Sequence, residues 1–293
     1  MSFEGCFTVL VTPFTRDGAT VDTGALAALV DWQIAEGVPG LVVLGSTGEF
    51  LSLEDSERNE VISTSVRQAR GRVPVLAGTA AEWTPKACRY SREAQDLGAD
   101  GVMIVPPFYS SPTDDELLAH YDAISAAIRI PIMLYNNPNT ANVDMKPPLI
   151  ARLSEIENVR YLKDASGEAA RVMEIERLSR GRMTVFARYE AFHIGAKGYV
   201  SVFGNVLPRL SADMYRLTAA GDIAGGRRIY ESIVPLLKFL SGDFYVSGTK
   251  AALELTGRPM GPPRAPRLPY PAAQRKLLQD YLEQLHRQPE PVS

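Results

Sequence analysis

Short apolar runs rich in β-branched residues alternate along the chain with longer amphipathic stretches, the pattern of βα units wrapped around a parallel sheet. Strand-like runs fall at 6–11, 40–44, 73–77, 100–105, 130–135, 159–163, 184–187 and 198–203, eight in all. Helical periodicity fills the intervals, for example at 23–35, 53–69, 84–97, 114–128 and 168–178, and several of these stretches open on capping residues. Pro74 and Pro131 stand at strand starts, where a missing backbone N–H is tolerated. Eight such units predict an α/β fold, a (β/α)8 TIM barrel, for which roughly 250 residues is typical. A doubly wound sheet is the competing arrangement. The division expected is a catalytic barrel over 1–220 and a C-terminal helical extension over 221–293. That extension shows helical patterns at 223–240, 246–255 and 272–285, broken by the proline-rich stretch GRPMGPPRAPRLPYP.

Composition narrows the function classes. With 293 residues, 45% of them hydrophobic, the chain is long enough for a sizeable core. Lys+Arg 31 against Asp+Glu 34 leaves a net charge of -3 and no basic block to follow a phosphate backbone, so nucleic acid is not an expected partner. Neither a signal segment nor a membrane-length apolar run is visible, and a cytoplasmic protein without a membrane partner is the expectation. Cys6 and Cys88 fit no metal-ligand or redox spacing, and His120, His193 and His286 are scattered, so no metal site is expected. The chain also lacks the glycine-rich fingerprints of nucleotide and dinucleotide binding.

Barrel geometry makes strand ends informative, because active sites gather at the C-terminal ends of the strands. Lys163 closes the sixth run on the same face as Val159 and Tyr161, and Tyr135 closes the fifth on the same face as Met133. With both faces turned inward, a phenol and an amine meet at the barrel mouth on strands roughly 4.8 Å apart. An amine held in an apolar mouth loses its proton readily and can attack a carbonyl carbon. The plainer alternative is a lysine that reaches solvent or pairs with Asp164. After the second run comes GSTGE, Gly45 to Glu49, where two glycines permit a tight turn and Ser46 and Thr47 add hydroxyls to exposed amides. Such a loop can cradle a carboxylate or phosphate, or it can simply cap the helix that follows. Tyr109, in PPFYSSP after the fourth run, reads as a packing residue or a lid.

Taken together, TPF (Thr12 to Phe14), GSTGEF, PPFY, YNNP (Tyr135 to Pro138), LKDASG (Leu162 to Gly167), GAKGYVSV (Gly195 to Val202) with Asn205, and KAALELTG (Lys250 to Gly257) resemble the dihydrodipicolinate synthase/N-acetylneuraminate lyase family of Schiff-base-forming class I aldolases. The resemblance spans nearly the whole chain. It implies that Lys163 forms an imine with pyruvate or another 2-oxo acid, with no separate cofactor, and that Tyr135 shuttles protons. It further implies that Ser46 and Thr47 hold the 2-oxo acid carboxylate, that Ser46 links Tyr135 to Tyr109 in a relay, and that Val200 offers backbone near the substrate. A homotetramer, a dimer of dimers, is what the resemblance implies, and in this family the equivalent of Tyr109 commonly reaches a neighbouring subunit's site.

Two departures bear on the substrate. Members that make dihydrodipicolinate carry, five residues after the catalytic tyrosine, an arginine that grips the aldehyde's carboxylate; here Thr140 occupies that position, and a hydroxyl cannot supply a guanidinium's bidentate charge. The segment ARYEAFHIGAKG is also shorter than the corresponding family loop. Arg188 within it could bind a distal carboxylate, or serve only as a surface charge. The leading expectation is a cofactor-free lyase of 2-oxo acids, working by aldol cleavage or condensation, or by dehydration or deamination. The alternatives are an authentic 4-hydroxy-tetrahydrodipicolinate synthase with an altered aldehyde site and, in another class, a non-catalytic 2-oxo acid or sugar-acid binding protein.

Overall fold

The computed structural model describes residues 2–287, with the side chains of Asp243, His286 and Arg287 outside that description. Eight parallel strands close into a barrel in chain order. They are β1 (Gly5–Val9), β2 (Leu41–Val43), β3 (Val75–Gly78), β4 (Gly101–Ile104), β5 (Ile132–Asn136), β6 (Val159–Asp164), β7 (Thr184–Phe186) and β8 (Gly198–Ser201). Each lies within or overlaps one of the eight apolar runs. The strands are shorter than most of the runs because apolar residues continue into the loops: Val105 and Leu10, for instance, stay buried beyond β4 and β1. The barrel and its C-terminal helices are those expected from the alternation.

Helices α1 (Thr23–Ala35), α2 (Asp55–Ala69), α3 (Thr84–Asp96), α4 (Asp114–Ala127), α5 (Pro147–Leu153), α6 (Arg171–Ser179) and α7 (Pro208–Ala219) follow strands, and α8 (Ile223–Phe239), α9 (Tyr245–Leu255) and α10 (Ala272–Arg287) complete the chain. Their starts are chemically marked. Asp22 accepts the Ala25 amide at 2.8 Å at the head of α1. Thr113 and Glu116 form a reciprocal capping box at α4, and Glu54 with Glu57 does the same at α2. Strands β3, β4 and β5 are buried throughout, which is why they read as continuous apolar runs rather than alternating ones.

Among the described residues the chain groups into two compact units. The first takes 2–4 with Pro74–Val200, and the second takes Gly5–Val73 with 201–287. In the first, the ring of Phe3 stacks on Tyr161 at 4.6 Å and its amide donates to the Tyr161 hydroxyl at 3.1 Å, anchoring the inner face of β6 upstream of Lys163. In the second, Asn205 extends β1 with its side chain: Nδ2 donates to the Val9 carbonyl at 2.8 Å and Oδ1 accepts the Val11 amide at 3.1 Å. No helix among the described residues is long and apolar enough to cross a membrane.

Candidate active site

The parallel register of β5 and β6 pairs Tyr135 with Lys163 and Asn136 with Asp164. Side chains alternate across a strand, so the first pair shares one face and the second pair the other. On the first face, Lys163 Nζ lies 3.8 Å from the centroid of the buried Tyr135 ring. Lys163 as a whole is half-buried, but its amine is deep enough that burial alone pulls its pKa down to about 7. No carboxylate among the described residues opposes that pull. Asp164, the alternative partner for the amine, is turned to the other face, where it accepts from Asn136 Nδ2 at 3.0 Å, from the Ser166 amide at 3.1 Å and from Ser166 Oγ at 2.8 Å. The Tyr135 hydroxyl accepts from Asn137 Nδ2 at 3.0 Å.

Behind the pair, a polar network ties the two strand ends together. Asn136 is fully buried; its Nδ2 donates to Asp144 Oδ1 at 3.1 Å as well as to Asp164, and its Oδ1 accepts the Met145 amide at 2.9 Å. Asp144 receives both ends of the Arg171 guanidinium, at 2.6 and 2.9 Å, and this bidentate pair holds the Asp144 carboxyl well below the usual carboxylate range. Arg171, itself buried, also binds Glu168 at 2.5 Å. Sequence reasoning missed the roles of Asn136, Asp144 and Arg171. A charged arginine opening a helix after the sixth strand gives no sign in the sequence that it is buried.

Tyr109 lies on the loop after β4 with its side chain 86% exposed. Its backbone is nonetheless fixed. Glu82 accepts the amides of Phe108, Tyr109 and Ser110 at 2.9, 3.1 and 2.8 Å, and Asn142 Nδ2 donates to the Tyr109 carbonyl at 2.7 Å. Burial pushes the Glu82 pKa up, but the Ser110 hydroxyl together with these amides outweighs it and holds the carboxyl below its ordinary value. Val200 is buried on β8. Arg188 follows β7, its side chain more than half exposed and 3.8 Å from Glu190. It lines a cavity of about 150 Å³ together with Asp164, Gly167, Glu168 and Glu190. Thr140 accepts from Asn137 Nδ2 at 2.6 Å, so its hydroxyl belongs to the hydrogen-bond set around Tyr135.

The expected carboxylate loop belongs to the second unit. Ser46 is half-buried, and Thr47 and Glu49 are each 2% exposed. Gly48 donates to the Gly45 carbonyl at 2.9 Å and Glu49 to the Ser46 carbonyl at 3.2 Å, closing a tight turn. Leu44 and Glu49, which flank the turn, both hold left-handed backbone angles, φ 57° and 56°. For a bulky leucine that conformation is strained and must be imposed by its surroundings. Gly48 sits close to neighbouring backbone: a Cβ there would meet the Leu10 carbonyl and the Leu44 amide nitrogen at 3.2 Å, a tight contact. The turn therefore does not serve as a cap for α2, whose first turn is closed by Glu54 and Glu57 instead. Among the described residues no group of three or more histidine, cysteine, aspartate or glutamate side chains could hold a metal ion; the His286 side chain lies outside that description.

The comparisons with known proteins agree in direction. Residues 2–285 match the model of the dihydrodipicolinate synthetase family. The chain is 41% identical to a 4-hydroxy-tetrahydrodipicolinate synthase of Sorangium cellulosum (strain So ce56) over 97% of both proteins. It is 38% identical to the enzyme of that name from Rhodopseudomonas palustris (strain BisA53), covering 92% of this chain and 93% of the relative. Among solved structures it superposes with TM-score 0.94 on a chloride-inhibited dihydrodipicolinate synthase from Acinetobacter baumannii complexed with pyruvate, at 32% identity over 97% of this chain and 99% of the other.

Proposed function

Because this chain belongs to the dihydrodipicolinate synthetase family, a family of lyases of the class I aldolase type that use a lysine Schiff base and no external cofactor, we propose that Lys163 forms the imine with pyruvate or another 2-oxo acid. The observation that carries this reading is the amine itself: it is paired by register with Tyr135, 3.8 Å from its ring, and poised near neutrality by burial. A neutral amine attacks C2 of the 2-oxo acid. Tyr135 protonates the carbinolamine oxygen, water leaves, and the protonated imine accepts the electron pair released when a bond at C3 breaks. Loss of a C3 proton gives an enamine that adds to an aldehyde; loss of the C3–C4 bond is the reverse reaction. Once addition, or return of a proton to C3 after cleavage, has restored the protonated imine, water attacks C2 and returns the free amine.

Ser46 and Thr47 hold the carboxylate in this reading, through the hydroxyls and amides of the strained turn, and the buried Val200 contributes backbone near the substrate. The exposed Tyr109, on a loop pinned by Glu82, completes the site of a neighbouring subunit in a homotetramer. Arg188 faces the distal part of the substrate. The Glu190 carboxylate 3.8 Å from Arg188 offsets its charge and favours hydroxyl-bearing substrates over a strongly anionic distal group. Thr140 in place of an arginine points the same way. A second reading, 4-hydroxy-tetrahydrodipicolinate synthase activity itself, is supported by the names of the relatives.

Incubation with pyruvate and borohydride followed by peptide mapping tests the imine: a stable adduct on the Lys163 peptide is expected, absent in Lys163→Ala. No adduct with pyruvate or with longer 2-oxo acids would overturn the reading. The two functional readings separate with Thr140→Arg. If the chain is a lyase of hydroxylated acids, the variant gains condensation with a carboxylate-bearing aldehyde by tenfold or more; an authentic synthase already performs that reaction, and the variant changes it little.

A further inference from the structure

Glu49 ends the 45–49 turn with a carboxylate that has no access to solvent, and the groups that meet its two oxygens among the described residues come from the far end of the chain. Lys250 on α9, itself 3% exposed, places Nζ 2.8 Å from Glu49 Oε1. The Arg264 amide donates to Glu49 Oε2 at 2.8 Å. Lys250 Nζ also donates to the Pro262 carbonyl at 3.0 Å and lies 4.2 Å from the Phe14 ring. Arg264 then fans its guanidinium across the same neighbourhood: to both oxygens of Glu57 at 2.6 and 2.5 Å, to the Ser52 carbonyl at 2.8 Å, and to the Gly18 and Ala19 carbonyls at 3.2 and 2.8 Å. The proline-rich stretch that reads in the sequence as a connector is thus a clamp.

We propose that Lys250 and Arg264 are positioning residues for the 2-oxo acid carboxylate, acting through Glu49 on the turn that carries Ser46 and Thr47. This rests on the reading that the turn binds that carboxylate. A turn bounded by two left-handed non-glycine residues does not hold its shape unaided. A buried ion pair is a poor source of net stability, because desolvation offsets much of its attraction, but it fixes which groups face each other. Glu49 lies two residues past Thr47. Its two oxygens are held by two different segments, so the carboxylate can neither swing nor withdraw without leaving Lys250 buried and unpaired. The amides and hydroxyls just before it are aimed accordingly.

The test compares pyruvate with methyl pyruvate, which keeps the ketone but lacks the charged carboxylate, in borohydride trapping on Lys163. For Lys250→Met the half-saturating pyruvate concentration is expected to rise about tenfold, with the trapping rate at saturation within about twofold of wild type and the half-saturation for methyl pyruvate unchanged. Lys250→Arg should recover part of the loss. Equal loss for both ketones means a merely structural role and overturns the proposal, as does no loss for either. Should Lys250→Met fail to fold, the doubly neutral Glu49→Gln/Lys250→Gln variant, which retains a hydrogen-bonding pair, is read by the same criteria. Thr47→Val separates the two layers of the argument. If it leaves pyruvate half-saturation unchanged, the carboxylate reading itself fails; if it raises it while the Lys250 variants do not, only the positioning proposal fails.

Discussion

The ends of β5 and β6 and the 45–49 turn are both built to hold side chains at fixed angles, yet they are held by opposite means. Tyr135 and Lys163 stand on regular strands, paired by backbone register and backed by Asn136, Asp144, Asp164 and Arg171, all from nearby sequence. The turn has no ladder. Strained backbone stands at Leu44 and Glu49, and the Glu49 carboxylate is met by Lys250 and the Arg264 amide, some two hundred residues downstream. In the proposed reaction the difference answers two demands. Covalent attack needs an amine at a set distance from a proton donor, which a parallel ladder provides cheaply and rigidly. Gripping a carboxylate needs converging amides and hydroxyls, which only irregular backbone provides, and irregular backbone needs external bracing.

The comparison is sharpened most by Lys163→Met. Turnover should fall by about a thousandfold or more, as expected for loss of a covalent nucleophile, while the protein becomes more stable. The sign follows from the lowered amine pKa of about 7 against the ordinary 10.5. The unfolded chain holds that proton more tightly, so the cost of burying the charge is complete below pH 7 and shrinks as pH rises from 7 toward 10.5. Denaturant melts should show a gain of roughly 2–4 kcal/mol at pH 6, fading at alkaline pH. A variant less stable than wild type at pH 6 would contradict a strained, desolvated amine.

Arg171→Met comes next. It leaves the half-buried Asp144 without its bidentate partner and should cost about 2–4 kcal/mol in urea unfolding. The adduct-forming rate at saturating pyruvate should drop roughly tenfold with half-saturation nearly constant, the reverse of the pattern expected for Lys250. An unchanged rate would mean that register alone holds the strand ends. The smallest effect belongs to Glu82→Gln. Weakening three charge-assisted bonds should speed amide exchange at 108–110 about tenfold, with global melting unaltered.

Much of this is legible in the amino-acid sequence. The eight apolar runs marked eight strands because both faces of a barrel strand are buried, and helical periodicity marked 23–35, which the structure caps with Asp22. The Tyr135 and Lys163 juxtaposition could be read because strand periodicity and parallel order determine it. Other parts were hidden for definite reasons. Asp164 looked like the natural partner for Lys163, but neighbours along a strand point to opposite faces. Lys250 sat in an ordinary helical pattern, and Arg264 in a stretch whose prolines suggested a linker. Long-range ion pairs leave no local period, so nothing in SGTKAALEL distinguishes a buried lysine from a solvated one.

The burial of the Lys163 amine also has a consequence for chemical labelling. At pH 7 about half of this amine is unprotonated, whereas a surface lysine with an ordinary pKa is neutral in only about one molecule in three thousand. Lys250, the other lysine whose pKa burial lowers, to about 8, is shielded by Glu49 and nearly inaccessible. A dilute, neutral, amine-directed electrophile small enough to enter the barrel mouth should therefore single out one lysine of the chain. Its reaction would count competent sites in a preparation without any knowledge of the natural second substrate.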